Sequence, residues 1–329
     1  MKKIGVNGFG RIGRYFTRLA LDSTEVDVAV VNDISDIHTL SHLLKYDSIH
    51  RGLKHTFEII GSKLIFDNGK EIHFTQESDP SKIEWNKFGV EIVLESSGHF
   101  LTTDALKNHF IGGAKKVVLS APAKSEEIKT IVLGVNDSII ETTDVILSNA
   151  SCTTNNAAPM VKVMMQLCEI QSAYITTIHS YTSDQRLQDA PHKDLRRARG
   201  AAQSIVPTST GAAKALTKIF PELEGKMGGC GVRVPVPDGS FTDLTMVVKN
   251  PPTVAVINHA MKMASETYLK GILAYTEDPI VSVDVIGNPS SCLFDAELTS
   301  VINNMVKVVG WYDNEAGYSN RLIELMAKI

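Results

Sequence analysis

Cys152 sits in the segment Ser148-Asn-Ala-Ser-Cys-Thr-Thr-Asn155, after a predicted strand (144–148) and before a predicted helix (156–167). A thiol at that junction meets the positive end of a helix dipole and several backbone N–H groups with no partner inside the helix. Both favour the thiolate, the form that attacks a carbonyl carbon. Its neighbours Ser151, Thr153, Thr154 and Asn155 are polar, unlike those of a cysteine packed as a small apolar residue. Cys168, Cys230 and Cys292 lie on apolar, strand-like or turn segments and are expected to be inert. His179 ends the apolar run Ala173-Tyr-Ile-Thr-Thr-Ile178, where an α/β site presents its side chains. An imidazole beside the thiol would hold it as thiolate and move protons at the reacting oxygen. The other nine of the ten histidines, including His50, His73, His99, His109 and His192, are expected to be surface residues without a role in the chemistry.

A second constellation is Gly8-Phe-Gly-Arg-Ile-Gly13, which follows a strand and opens a helix. Glycine there lets the backbone turn sharply and approach a pyrophosphate, which then rests on helix N–H groups. Asp33 ends the second strand, where a carboxylate accepts hydrogen bonds from ribose hydroxyls and repels a 2′-phosphate. The pair predicts NAD rather than NADP.

The elements that must position these groups alternate in the first half. Strands 3–7, 26–31, 91–95, 116–120 and 145–148 interleave with helical runs at 11–21 and 101–110, which predicts a parallel sheet covered by helices. Residues 57–75 read instead as antiparallel hairpins inserted in that domain. In the second half strands dominate, at 173–178, 231–236, 243–248, 280–285, 293–295 and 305–311. Helices at 211–220 and 253–270 are fewer, and a final amphipathic helix spans 317–329. The predicted fold is α/β: a Rossmann-type parallel-sheet domain at 1–150, completed by the C-terminal helix 316–329, and an α+β domain with a mixed sheet at 151–315. Residues 180–206 form a long polar, arginine-rich stretch, the kind of loop that serves function or an interface.

Composition narrows the function. The chain has 329 residues, 43% hydrophobic and 21% charged, with a net charge of −4, which supplies no general pull toward nucleic acid or an anionic membrane. No apolar run is long enough to span a bilayer, and Met1 runs at once into a strand, so no signal peptide is expected. Four widely spaced cysteines show neither zinc nor C-x-x-C spacing, so no metal is expected and a reducing cytoplasm is.

The chain resembles the phosphorylating glyceraldehyde-3-phosphate dehydrogenases of bacterial glycolysis over nearly its whole length. The resemblance rests on Val6-Asn-Gly-Phe-Gly-Arg-Ile-Gly13, Asn32-Asp33, Ser120-Ala-Pro-Ala-Lys124, the Cys152 segment, Thr177-Ile-His-Ser-Tyr-Thr182, Asp194-Leu-Arg-Arg-Ala-Arg199, Pro207-Thr-Ser-Thr-Gly-Ala-Ala213, Arg233-Val-Pro235 and Trp311-Tyr-Asp-Asn-Glu315. It implies oxidation of D-glyceraldehyde 3-phosphate to 1,3-bisphosphoglycerate with NAD and inorganic phosphate. Cys152 would form a hemithioacetal and then a thioester, with His179 as base. It places Thr182 and Arg233 at the substrate's phosphate. Ser151, Thr210 and Gly211 fall at the attacking phosphate, Arg197 lies near both, and Thr153 is counted among the substrate- and phosphate-binding residues. Gly8, Gly10, Arg11, Ile12, Asp33 and Ser120 would contact the cofactor, and Asn314 would orient its nicotinamide carboxamide. The 180–206 loop would cross to a neighbouring subunit, which implies a homotetramer. The chain departs from the usual pattern at Asn156, where members commonly have a second cysteine, at Ala316, where many have tryptophan, and at Ser78, where an arginine is frequent. The competing expectations are an erythrose-4-phosphate dehydrogenase and a non-catalytic NAD-binding interaction protein.

Overall fold

A run such as Val26–Asn32, in which six of the seven residues are buried, has no solvent face and must sit inside a sheet covered on both sides. It does so in the computed structural model, which describes residues 1–329. The chain forms two units, one of Met1–Ile131, Ser138–Ala150 and Ser319–Ile329, the other of Val132–Asp137 and Ser151–Tyr318.

The first unit is built on nine strands: β1 (Lys2–Asn7), β2 (Val26–Asn32), β3 (Phe57–Ile60), β4 (Lys63–Phe66), β5 (Glu71–Thr75), β6 (Ile92–Glu95), β7 (Lys116–Leu119), β8 (Lys129–Thr130) and β9 (Ile146–Ser148). Their order is β3-β4-β5-β2-β1-β6-β7-β9-β8. All pairs from β5 to β8 are parallel, and only β3–β4 and β4–β5 are antiparallel, which is the predicted hairpin insertion. Helices α1 (Arg11–Asp22), α2 (Ile37–Lys45) and α3 (Thr103–Ile111) fill the crossovers. The core gathers Trp85 with Val30, Val93, Leu106 and Val117, all at most 1% exposed. The inserted hairpins are tied to α1 by Lys70, whose ammonium donates to Ala20 O (2.6 Å) and Ser23 O (3.1 Å) at the negative end of that helix.

The second unit opens with α4 (Cys152–Leu167), followed by β10 (Glu169–Ser180), β11 (Val206–Thr208), α5 (Ala212–Ile219), β12 (Met227–Val234), β13 (Ser240–Lys249), α6 (Val254–Glu266), β14 (Leu273–Thr276), β15 (Cys292–Ile302) and β16 (Met305–Tyr312). Its seven strands run β11-β12-β10-β13-β16-β15-β14, mixed in direction. Alternation along β13 buries every second residue, so one face of the sheet receives α4 through Ala157, Met160, Val161 and Met164. The last helix, α7 (Ala316–Lys328), buries Leu322, Leu325 and Met326 in the first unit. Lys2 Nζ and Lys116 Nζ cap its end at Ala327 O and Ile329 O.

Two expectations change. Residues 280–285 are not a strand: Asp284 folds back, its N–H donating to Val281 O (3.0 Å) and its carboxylate accepting from Val281 N (2.9 Å), and Ser282–Val285 becomes one tight helical turn. His109 is not a surface residue. It is completely buried between Trp85 and Glu95, because the apolar face of α3 faces the sheet and its imidazole finds two polar partners there.

Candidate active site

The glycine loop leaves the end of β1. Gly8 has φ +93, and a Cβ on it would lie 2.4 Å from Ser97 N, so only glycine fits. Gly13 lets α1 approach the loop, since a Cβ there would fall 2.2 Å from Gly8 O. No side chain caps the start of α1 at Gly10, and a Cβ on Gly10 would meet nothing within 4 Å. The helix N-terminus therefore stands clear for an anion, as a dinucleotide pyrophosphate requires. Asp33 is turned onto the same loop, its Oδ2 accepting from Phe9 N (2.7 Å) and its Oδ1 from Ser35 N (2.9 Å). Ile12 is half-buried on the first turn of α1. Ser120 lies just past β7, its N–H donating to Glu95 O (2.9 Å). Arg11 is engaged with Asp47 (2.6 Å), whose carboxyl lies at about 2: burial opposes ionisation, but the N–H groups of His50 and Ile49 and the Arg11 guanidinium outweigh it.

In the second unit four strand ends converge. His179 pairs in register with Arg233 across β10–β12, and Ser240 with Tyr312 across β13–β16. Both pairs lie at the same end of the sheet because β10, β12 and β16 finish there and β13 begins there. Cys152 is the first residue of α4. Ser151 caps that helix, its Oγ accepting from Thr154 N (3.2 Å), and Ala150 before it has φ +57, the sharp turn that swings the thiol onto the helix start.

The Cys152 sulfur lies 3.6 Å from His179 Nε2. His179 Nδ1 lies 2.7 Å from Ser180 O, and Arg233 Nη1 lies 2.9 Å from that carbonyl and 2.6 Å from Nδ1. Arg233 can only donate, so its Nη1–H goes to Ser180 O rather than to Nδ1; with Nδ1–H donating to that same carbonyl, Nε2 keeps its lone pair toward the sulfur, which is the tautomer a base needs. Burial pushes the thiol up to about 11, against the pull of Arg233 and the Thr153 N–H. Burial and then the Arg233 charge push the imidazole down to about 3. Both shifts act against the thiolate that the helix dipole and the imidazole favour, because lost hydration penalises the charged form of each group.

No sequence pattern marks Tyr312, which braces the centre. Its buried hydroxyl bonds Thr153 Oγ1 (2.9 Å) and Thr177 Oγ1 (2.8 Å), and its ring meets His179 edge to face. Asn314 is held by Ser180 Oγ (2.7 Å) and Ser240 Oγ (3.0 Å) on its Oδ1. Only the folded sheet brings these hydroxyls together, so no local signal marks them. The anion candidates are more dispersed. Thr182 follows β10, and Arg197 is engaged with Asp184. Thr210 Oγ1 accepts from Ala212 N (3.2 Å), and Gly211 starts α5 with open space around it. Asn156 spans from α4 to Trp311 O (3.1 Å), a packing role that needs no thiol.

The residue pattern described as the C-terminal domain of glyceraldehyde 3-phosphate dehydrogenase matches residues 151–314, and that of its NAD binding domain matches 2–103. The glyceraldehyde-3-phosphate dehydrogenase of Geobacillus stearothermophilus is 51% identical over 99% of this chain and 98% of its own. The chain belongs to the glyceraldehyde-3-phosphate dehydrogenase family. Glyceraldehyde-3-phosphate dehydrogenase 1 of Bacillus subtilis (50% identical, 99% and 98% covered) and the Mycobacterium avium protein of the same name (50%, 99% and 98%) are similar to it to the same degree. With family membership come NAD as cofactor and an oxidoreductase assignment. No helix is long and apolar enough to cross a membrane.

A buried acid pair supports the turn that carries Asn314 in this family member. Asp238 Oδ1 accepts from Gly239 N (2.8 Å) and Asn314 N (3.3 Å). Asp313 accepts from Glu315 N, Ala316 N and Gly287 N. Burial, then the charges of Asp313 and Glu315, push Asp238 up to about 9, which favours a proton on it at neutral pH. The folded chain keeps a proton that the unfolded chain releases near 3.8, so this group's contribution to stability declines as pH rises from about 4 to about 9. Asp238→Asn supplies the same donor without the proton. Its melting temperature should fall less than that of the wild type between pH 5 and 9, and parallel curves would mean that Asp238 is ionised throughout.

Proposed function

We propose that the protein oxidises D-glyceraldehyde 3-phosphate to 1,3-bisphosphoglycerate with inorganic phosphate. The observation that carries this is the Cys152 sulfur 3.6 Å from His179 Nε2 at the start of α4. NAD, when bound, accepts the hydride from the aldehyde carbon. Cys152 attacks that carbon while His179 Nε2 receives the thiol proton, so the sulfur becomes nucleophilic as the bond forms. The imidazole passes that proton to the carbonyl oxygen, giving the hemithioacetal hydroxyl, and takes it back as the hydride leaves, so that a thioester remains on Cys152. Phosphate then attacks the thioester and frees the thiol. Arg233 and Thr182 hold the substrate's phosphate, and Ser151, Thr153, Thr210, Gly211 and Arg197 serve the phosphate sites, because arginine forks and hydroxyls are what dianions demand. Asn314 orients the carboxamide from a side chain already fixed by two hydroxyls. Gly8, Gly10, Arg11, Ile12, Asp33 and Ser120 receive the rest of the cofactor.

Leu187, Leu195 and Ile205 are exposed on the 181–205 segment, which supports its packing against a second copy in a cytoplasmic homotetramer. NADH formation measured with and without phosphate tests the reaction. Dependence on phosphate and a higher kcat/KM for the triose than for erythrose 4-phosphate are expected, and the reverse preference would overturn the substrate assignment.

Cofactor choice has its own test. Removing the carboxylate in Asp33→Ala should raise the NADP-to-NAD ratio of kcat/KM about tenfold or more, while weakening NAD itself because Phe9 N loses its acceptor. An unchanged ratio would place the discrimination elsewhere.

A further inference from the structure

Beneath the glycine loop lies a polar network that the reaction does not use. Glu95 ends β6 and is completely buried, so its carboxylate must be satisfied by protein donors. Oε2 accepts from Asn7 Nδ2 (2.6 Å) and pairs with His109 Nε2 (3.0 Å). Oε1 accepts from Ser97 N (2.8 Å) and from the Ser97 hydroxyl. Trp85 Nε1, which can only donate, reaches His109 Nδ1 (3.2 Å). That fixes the tautomer: Nδ1 accepts, and Nε2–H is delivered to Glu95. On the other side Asn7 Oδ1 accepts from Asn32 Nδ2 (2.8 Å), which joins the ends of β6, β1 and β2 in one chain of bonds.

Three members border a cofactor-loop segment. Asn7 precedes Gly8, Asn32 precedes Asp33, and Glu95 precedes Ser96 and Ser97. Ser96 Oγ donates to Gly8 O (2.7 Å), and the Gly8 backbone is packed so closely on Ser97 N that no Cβ fits. Moving Ser97 therefore moves the glycine turn, and with it Phe9 N, the donor to Asp33.

We infer that Glu95, locked by the His109–Trp85 pair, is the positioning residue of the cofactor loop: it sets the Gly8–Phe9 turn and the Asp33 carboxylate in the geometry that binds NAD. The inference rests on the reading of that loop as the NAD site. Glu95→Gln keeps the shape but must present an amide N–H either to Asn7 Nδ2 and His109 Nε2–H or to the two Ser97 donors. One charge-assisted pair is lost in either orientation, and a donor faces a donor.

The test is NAD affinity by titration of the full-length protein, well below each variant's melting temperature. The kcat at saturating NAD, the KM for the aldehyde and the alkylation rate of Cys152 are measured alongside. Glu95→Gln should raise the NAD Kd about tenfold, with kcat, aldehyde KM and Cys152 alkylation changed less than about twofold. Trp85→Phe removes the indole donor that fixes the His109 tautomer, together with some core packing, and should raise Kd about threefold; it decides the matter if Glu95→Gln does not fold. A lowered melting temperature with an unchanged NAD Kd would reduce the network to core packing and overturn the inference. Failure of the wild type to bind NAD would instead overturn the reading of the loop.

Discussion

Cys152→Ser leaves NAD affinity within about twofold of wild type and lowers kcat by at least about 10³-fold, because a hydroxyl ionises far less readily than a thiol and forms no thioester. The substitution is nearly isosteric. Ser151 still caps α4, and Tyr312 still bridges Thr153 and Thr177, so the fold should persist and the loss should reside in chemistry alone. Steady-state NADH formation and NAD titration on the same preparation check it. Turnover near the wild-type value would remove the nucleophile from the account.

His179→Asn has the second largest effect, a fall in acylation of about 10²–10⁴-fold, the range of a lost general base. Burial raises the thiol and lowers the imidazole, so both shifts act against a standing thiolate and the attack draws on a neighbouring proton acceptor. Alkylation of Cys152 by iodoacetamide reports that acceptor without substrate. It should slow in His179→Asn at pH 7, and in the wild type it should accelerate as pH rises toward the thiol's own ionisation. Equal alkylation rates in the two proteins would mean that another group takes the proton. Arg233 is the group to separate from this effect. Its Nη1 stands 2.6 Å from His179 Nδ1, and its charge helps keep the imidazole neutral, so a substitution of Arg233 alters the base as well as the phosphate site.

The parts of this protein legible in sequence are those whose physics is local. Gly8 and Gly13 mark a turn and a close approach that only glycine allows, and the continuous apolar strands mark a sheet covered on both faces. Cys152 at a strand-to-helix junction is likewise a short-range pattern. The hairpins at 57–75 were legible because alternation and an Asp67-Asn-Gly69 turn lie within one segment. What escaped depends on residues brought together from far apart. Tyr312 joins Thr153 and Thr177, Asp238 meets the charges of Asp313 and Glu315, and Glu95 collects donors from β1, α3 and the turn after β6. His109 was misjudged for the same reason: nothing adjacent in sequence discloses the buried carboxylate and indole that satisfy it. Short edge elements such as β8, β11 and β14 carry too few residues for a period to show, and their pairing comes from the neighbouring strand. The effect of burial on the catalytic pair is hidden too, because the helix dipole is visible in sequence and the loss of water around the sulfur is not.

Mass spectrometry of the protein after glyceraldehyde 3-phosphate and NAD are added without phosphate should find an acyl group on Cys152, formed with a burst of about one NADH per chain and lost when phosphate is supplied. Full NADH turnover with Cys152 unmodified, or an acyl group carried by another residue, would contradict a thioester on Cys152.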